Sequence, residues 1–227
     1  VNWNAGYGGV IYQGHPGEQG YGIIVNSEGT LQILCANVAY LESSSVLSSG
    51  NWHHVAAVRD NGTWKLYLDG VERVITNNTA TPWEPSGKCY IGSSHVSYQM
   101  FNGKIDEVRI WNVARSESQI RASYGSLVGN ETGLAAYWQM DEGSGSTTGD
   151  GTGNGNTATL IDSPTWGAST APVSEPTYQT SDASLDFGLV EVSTTKDETF
   201  TITNNGGGIL HLSSIVSDHE KFTVLPE

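Results

Sequence analysis

Residues 51–72 read NWHHVAAVRDNGTWKLYLDGVE, and this stretch decides the fold. Two runs of alternating apolar and polar residues, His53–Asp60 and Trp64–Gly70, flank Asp60-Asn61-Gly62. Asn and Gly tolerate the positive φ that a tight hairpin demands, so the stretch predicts two antiparallel strands turning at Asp60-Asn61-Gly62. In the second strand Leu66 and Leu68 face one way, towards a core. The adjacent His53 and His54 invite a reading as catalytic base or metal ligands. Neighbours on a strand point to opposite faces, so the pair cannot share one ion without a bulge. No Ser or Cys in a nucleophile-elbow context accompanies them. A structural role is expected instead, with one ring packed and the other exposed. Trp52, Trp64 and Trp111 recur at strand ends, where packing is the default.

Outward from this hairpin the same pattern repeats. Gly9–Gly14, Gly20–Val38, Lys88–Ser94 and Gly103–Val113 read as strand segments, with Ser-Glu-Gly and Asp-Gly among the turns between them. One helix stands out, over Ser116–Gly125. Ser116 is its N-cap and Gln119 lies at capping-box spacing. Ile120 and Tyr124 share a face that would plug one end of a sandwich. Further strands are expected at Gly133–Gly145 and Ala158–Trp166, around a loop of Gly, Thr, Ser and Asn at residues 144–157. Gly167–Asp182 has two prolines and no periodicity, as a linker would. A second β segment follows from Ala183, with alternation around Phe200 and Ile202.

The 227 residues carry 10 Lys and Arg against 24 Asp and Glu, a formal net charge of -14. Such a surface repels nucleic-acid backbones and gives no reason to bind anionic membranes. No apolar run approaches the roughly 20 residues of a membrane span. The polar, glycine-rich start lacks a signal-like basic region. Twenty-eight glycines, few charges and frequent turns point to an extracellular all-β protein. Cys35 and Cys89 fall on separate predicted strands. They pair if their Cα atoms lie within about 7 Å, and otherwise stand as two buried thiols.

NWHHVAAVRDNGTWKLYLDGVE, then CYIGSS (Cys89–Ser94), then FNGKIDEVRIWNVARSESQIRASY (Phe101–Tyr124) resemble, in order and spacing, the laminin-G-like, concanavalin-like sandwich domains of secreted bacterial proteins, relatives of pentraxins. The resemblance covers roughly Gly8–Trp166. It implies an antiparallel β-sandwich of jelly-roll type over residues 1–168, a linker at 169–182 and a second module at 183–227. That last segment resembles part of an immunoglobulin-like surface-protein module. At about 45 residues it falls short of the ~100 of a typical sandwich of this type. Domains of this kind normally begin with further strands before the one at Gly9. The resemblance therefore implies that these strands come from a longer chain or from a neighbouring chain.

The same resemblance directs attention to sites. Pentraxins hold ligand through calcium bound by acidic residues after the IG strand. The matching loop here, Ser93–Met100, contains no Asp or Glu, so that calcium site is not expected. Glucanases of this fold carry carboxylates in an E-x-D-x-x-E pattern, which is absent. Asp106 and Glu107, like Asp141 and Glu142, are adjacent and alternate to opposite faces, so an enzyme is not expected. Two readings stand for Gly149–Asn156: a solvated turn, or a structural calcium site using Asp150, Asn154 and Asn156, with Asp106 joining from the last strand. For a ligand, Trp83 in a proline-bracketed loop and His95, Tyr98 and Gln99 in the pentraxin-type ligand loop supply stacking and polar groups. Trp83 as a cap on the sandwich end is the alternative. Asn61, Asn77 and Asn130 begin glycosylation sequons that chance alone would supply in so Asn- and Thr-rich a chain. The expectation is a non-catalytic extracellular recognition or adhesion module for a glycan or surface protein. The alternative is a structural block of a cell-surface fibre or layer, assembled from neighbouring copies, and a glucanase-like enzyme is the remaining one.

Overall fold

The computed structural model describes residues 1–15, 19–35, 39–77, 87–95, 99–125, 129–171, 178–181, 189–191, 193–199 and 201–204. The chain divides into two compact units, Val1–Pro172 and Val173–Glu227. The first contains β1 (Asn2–Trp3), β2 (Gly8–His15), β3 (Gln19–Val25), β4 (Thr30–Cys35), β5 (Ala39–Val46), β6 (Val55–Asp60), β7 (Thr63–Leu68) and β8 (Val71–Asn77). After these come β9 (Cys89–Ile91), β10 (Gly103–Lys104), β11 (Val108–Trp111), helix α1 (Glu117–Ala122), β12 (Leu134–Trp138), β13 (Thr147–Thr148) and β14 (Ala158–Thr159). Every pairing is antiparallel. The fold is the all-β, concanavalin-like sandwich that the sequence predicts.

The larger sheet has the order β5-β4-β3-β2-β9, and a second sheet is β6-β7-β8. Their inner faces meet in a core that includes Ile23, Val25, Leu31, Ile33, Leu41, Trp64, Leu66 and Leu68, all buried. One row crosses all five strands of the larger sheet: Ile91, Ile11, Ile23, Ile33 and Leu41 are successive cross-strand partners. Beneath β9 and β2 the core continues onto the β11–β12 pair, where Val108, Ala136 and Trp138 meet Ile11, Ile91 and Ile105.

The opening hairpin forms as its sequence demands. Asn61 and Gly62 have φ of 46° and 84°, and Asp69 and Gly70 repeat the device at 51° and 70°. Both two-residue loops thus carry positive φ at both central positions, which matches the twist of the flanking strands. Ser116 caps α1 with both capping-box hydrogen bonds present. The helix lays Ile120 and Tyr124 on Val58, Tyr67 and Ala56, and Arg121 donates from Nε to the Gly70 carbonyl at 2.9 Å.

Three expectations change. Gly103–Val113 is two strands, β10 and β11, parted where Glu107 takes a φ of 55°. Cys35 and Cys89 are not joined in a disulfide. Cys35 pairs with Tyr21, Tyr21 with Gln13 and Gln13 with Cys89. The cysteines therefore lie three strand steps apart, roughly 14 Å at about 4.8 Å per step, twice the reach of a disulfide. Ser169 and Thr170, assigned to the linker by sequence, are tied to the sandwich: Ser169 donates to Asp106 and Trp52 Nε1 donates to Thr170 Oγ1 at 3.0 Å.

In the second unit, β15 (Tyr178–Thr180) pairs antiparallel with β16 (Ile202–Asn204), Gln179 opposite Thr203. Most of the segment resembling an immunoglobulin-like module, including residues 205–227, lies outside the described residues.

Candidate functional site

One residue along from the aliphatic row, the same five strands present a second row to the opposite face. Tyr90, Tyr12, Gly22, Leu34 and Tyr40 are successive cross-strand partners. Alternation along each strand sends this row away from the core. It runs across the sheet for four strand steps, roughly 19 Å. Gly22 is required in it. A Cβ there would stand 2.1 Å from the Ile11 carbonyl oxygen and 2.6 Å from Tyr12 Cδ2, so the Tyr12 ring lies against the bare backbone of β3. Tyr12 and Ile24 are fully buried although they face away from the core. Among the described residues the Tyr12 hydroxyl has no hydrogen-bond partner, and burial pushes its titration up.

At the β5 end the row becomes exposed and polar. Tyr40 is 57 % exposed. Its hydroxyl donates to Glu42 Oε2 at 3.2 Å, while Asn26 Nδ2 and Gln32 Nε2 donate to Glu42 Oε1 at 3.0 and 3.2 Å. Three donors on three strands or turns therefore fix one carboxylate beside one open aromatic ring. Burial, the bond to Glu42 and the nearby Tyr7 together push the Tyr40 hydroxyl up to about 12.

At the β9 end stands the expected ligand loop. Phe101 N donates to the Gly92 carbonyl at 2.8 Å and closes its neck. The backbone of Ser93 and Ser94 presses on Gly9, where a Cβ would meet it at 2.5 Å. Gly9 pairs with Ile24, so Ser93 and Ser94 lie against the same outward face as the tyrosine row. His95 tilts against Tyr90 with ring centroids 5.3 Å apart. Gln99 accepts from Ser94 Oγ at 2.6 Å and so shapes the loop. Of the four expected ligand residues the structure thus places His95 and Gln99 beside the row. Trp83 and Tyr98 lie outside the described residues.

The glycine-rich loop is organised around Asp150. Its Oδ1 accepts from Tyr137 N, Thr152 N and Thr152 Oγ1, and its Oδ2 from Asn156 N and Nδ2. Burial opposes the charge, but the bonds from Thr152, Asn156 and Tyr137 outweigh it and hold the carboxyl well below the usual range. Asn154 and Asn156 turn their amide nitrogens to the Ala135 carbonyl. Asp106 has other partners, Ser169 Oγ and Glu107 N. A calcium ion wants several free oxygens. Here the carboxylate is saturated by donors and the amides offer nitrogen inward, so these residues as arranged do not fit the ion. Among the described residues no group of three or more His, Cys, Asp or Glu side chains could hold a metal.

The histidines part, but they lie just before β6 and neither ring is exposed, which corrects the expectation of one exposed ring. His54 stacks on Tyr124 at 4.2 Å. Burial, and then the charge of Arg109, lower it from 6.5 to about 3. His53 joins an array that sequence reading missed. Its Nδ1 donates to Asp69 Oδ2 at 2.9 Å, and its Nε2 lies 2.8 Å from Ser48 Oγ. The signal was there in Asp69, but Ser48 reaches His53 only because the link between β5 and β6 folds back on itself, Asn51 N donating to the Ser48 carbonyl at 3.3 Å. This is the Asp-His-Ser connectivity of a hydrolase triad. The Ser48 backbone N–H, which would serve a developing oxyanion, is spent on His53 Nε2 at 3.1 Å. The array ties the β5–β6 turn to the β7–β8 turn.

The carboxylate pair considered for glycoside cleavage is also engaged. Glu107 accepts from Arg109 and from the Tyr137 hydroxyl, and the ion pair is nearly buried at 8 % and 9 % exposure. Burial pushes Glu107 up against the pull of Tyr137 and Arg109.

No curated protein sequence matches the chain. A solved structure of a candidate carbohydrate-binding protein from Bacteroides ovatus superposes with a TM-score of 0.57 at 24% identity, covering 73% of this chain and 52% of that one. An S-layer domain-containing protein from Clostridium thermocellum is similar at 23% identity with a TM-score of 0.32, over 52% of this chain and 63% of that one. The chain thus spans about half the length of the first and under two thirds of the second. The laminin-G model of the concanavalin A-like lectin/glucanases superfamily matches residues 2–121, more than half of the sequence. That match, on a sandwich with these sheets and turns, makes the chain a member of the concanavalin A-like lectin/glucanase superfamily in its laminin-G-like form.

Proposed function

We propose that the chain is a non-catalytic extracellular recognition module that binds a glycan or a surface protein. The ligand surface is the outward face of the five-stranded sheet. The observation that carries this reading is the row from Tyr90 to Tyr40. Its open aromatic ring and fixed carboxylate at one end, and the His95 loop at the other, stand on rigid strands, where a binding constellation is best held. Catalysis is disfavoured because Glu107 is held by Arg109 and Tyr137, and Ser48 lacks an unspent oxyanion donor.

A binding screen of the whole chain against a glycan array and soluble polysaccharides, with reducing-end release followed over a day, tests this. Saturable binding without product supports the module. Any product release contradicts it, and release that survives an Asp106→Asn, Asp141→Asn double substitution locates the chemistry away from those carboxylates.

A further inference from the structure

We infer that the β5 end of the outward face is a subsite for neutral polysaccharide, with a pyranose ring stacked on Tyr40 and its hydroxyls bonded to the Glu42 carboxylate. The inference rests on the recognition reading above and narrows it to one ligand chemistry and one place.

Three observations converge. The Tyr40 ring is the most exposed aromatic of the described sandwich and sits on a strand rather than a loop. Glu42, two residues on and therefore on the same face, is held in one rotamer by the Tyr40 hydroxyl, Asn26 and Gln32. Among the described residues this carboxylate is fixed by neutral donors and paired with no cation, so it is an acceptor for hydroxyl groups, and charge-assisted bonds of that kind are the stronger ones. Finally, residues 1–58, which supply four of the five strands of this face, contain no Lys or Arg. Phosphorylated, sulfated or uronic ligands would meet Glu42 with no compensating charge. An extended peptide would add to a strand edge, not lie across the strands along the row. What the site offers suits an uncharged polyol with an apolar face, and half-buried Leu34, the cross-strand partner of Tyr40, extends the platform on β4.

The test is affinity electrophoresis and calorimetry on the whole chain with neutral polymers (xyloglucan, laminarin, galactomannan) and anionic ones (polygalacturonate, heparin). The variants are Tyr40→Ala, Tyr40→Phe, Glu42→Gln and Trp83→Ala. Both Tyr40 and Glu42 are exposed, and far-UV dichroism with thermal melts verifies that each variant folds. We expect a neutral polymer to bind and the anionic ones not to. Tyr40→Ala and Glu42→Gln should each weaken binding at least about tenfold, and Tyr40→Phe should keep the stacking and lose less than Tyr40→Ala. Loss of binding in Trp83→Ala with Tyr40→Ala unaffected overturns the stacking position on β5. Neutral binding that Tyr40→Ala and Glu42→Gln leave intact overturns this subsite while leaving the recognition module standing. Selective binding of the anionic polymers overturns the ligand class. Failure of every polymer while the glycan array and surface proteins also fail overturns both.

Discussion

At the scale of single residues, Asp150 organises the glycine-rich loop. Five donors converge on its two oxygens and close the loop at residues 149–156 onto β12. Asp150→Asn removes the charge and turns an amide nitrogen towards donors. That should cost about 1–3 kcal/mol in denaturant unfolding, the range for losing charge-assisted bonds. Chelation by EDTA should leave the melting temperature of the wild type unchanged, and a fall of several degrees would put a cation in the loop. His54 gives the chain a pH dependence of its own. Its folded value of about 3 lies below the ordinary 6.5. Between those values the unfolded chain takes up a proton that the folded chain refuses. Stability contributed by the neutral ring is therefore full above pH 6.5, falls as pH drops through that window by up to about 1.4 kcal/mol per unit, and levels off below pH 3. His54→Phe keeps the stack on Tyr124 and should flatten that part of the stability–pH curve. An unchanged slope would move the titration to another group.

Among the elements, those with local signatures were legible and those without were not. Asn61-Gly62 and Asp69-Gly70 announce their hairpins because only such pairs take positive φ at both positions. Ser116 and Gln119 announce α1 because the capping box is a four-residue pattern. β5 carries no such mark: AYLESSSV lacks the dense β-branched residues that signal a strand, and its alternation of Leu41 and Ser43 inward with Tyr40 and Glu42 outward emerges only from pairing with β4. The candidate site was hidden for the same reason. It is assembled across five strands by register, and no stretch of sequence contains it. His95 and Gln99 were found because one loop holds them, whereas Tyr12 and Tyr90 lie far along the chain from Tyr40 and Glu42, which share a strand that carries no local mark. Gly22 is the element-scale test of that register. Gly22→Ala would drive a Cβ to 2.1 Å from the Ile11 carbonyl oxygen, and backbone there cannot yield cheaply. We expect a loss of more than about 2 kcal/mol by chemical denaturation, in the range of overpacked core substitutions. A near-neutral result would mean that β2 and β3 pair in another register.

For the whole molecule, the sandwich separates its faces by chemistry. One face of the five-stranded sheet is an aliphatic row sealed against β6–β8, and the other is an aromatic and polar row turned outward. The cysteines obey the same geometry. Three strand steps keep Cys35 from Cys89, so intact-mass measurement before and after reduction should show no change and denaturing thiol titration should count two. The most direct measurement of the central claim is a chemical-shift map of the isotope-labelled chain titrated with a neutral polysaccharide that it binds. The largest shifts should fall on Gln32, Leu34, Tyr40, Glu42 and their strand neighbours. Shifts confined to the loop at residues 149–156, or to the β7–β8 turn around Asp69, would contradict a recognition face on the five-stranded sheet.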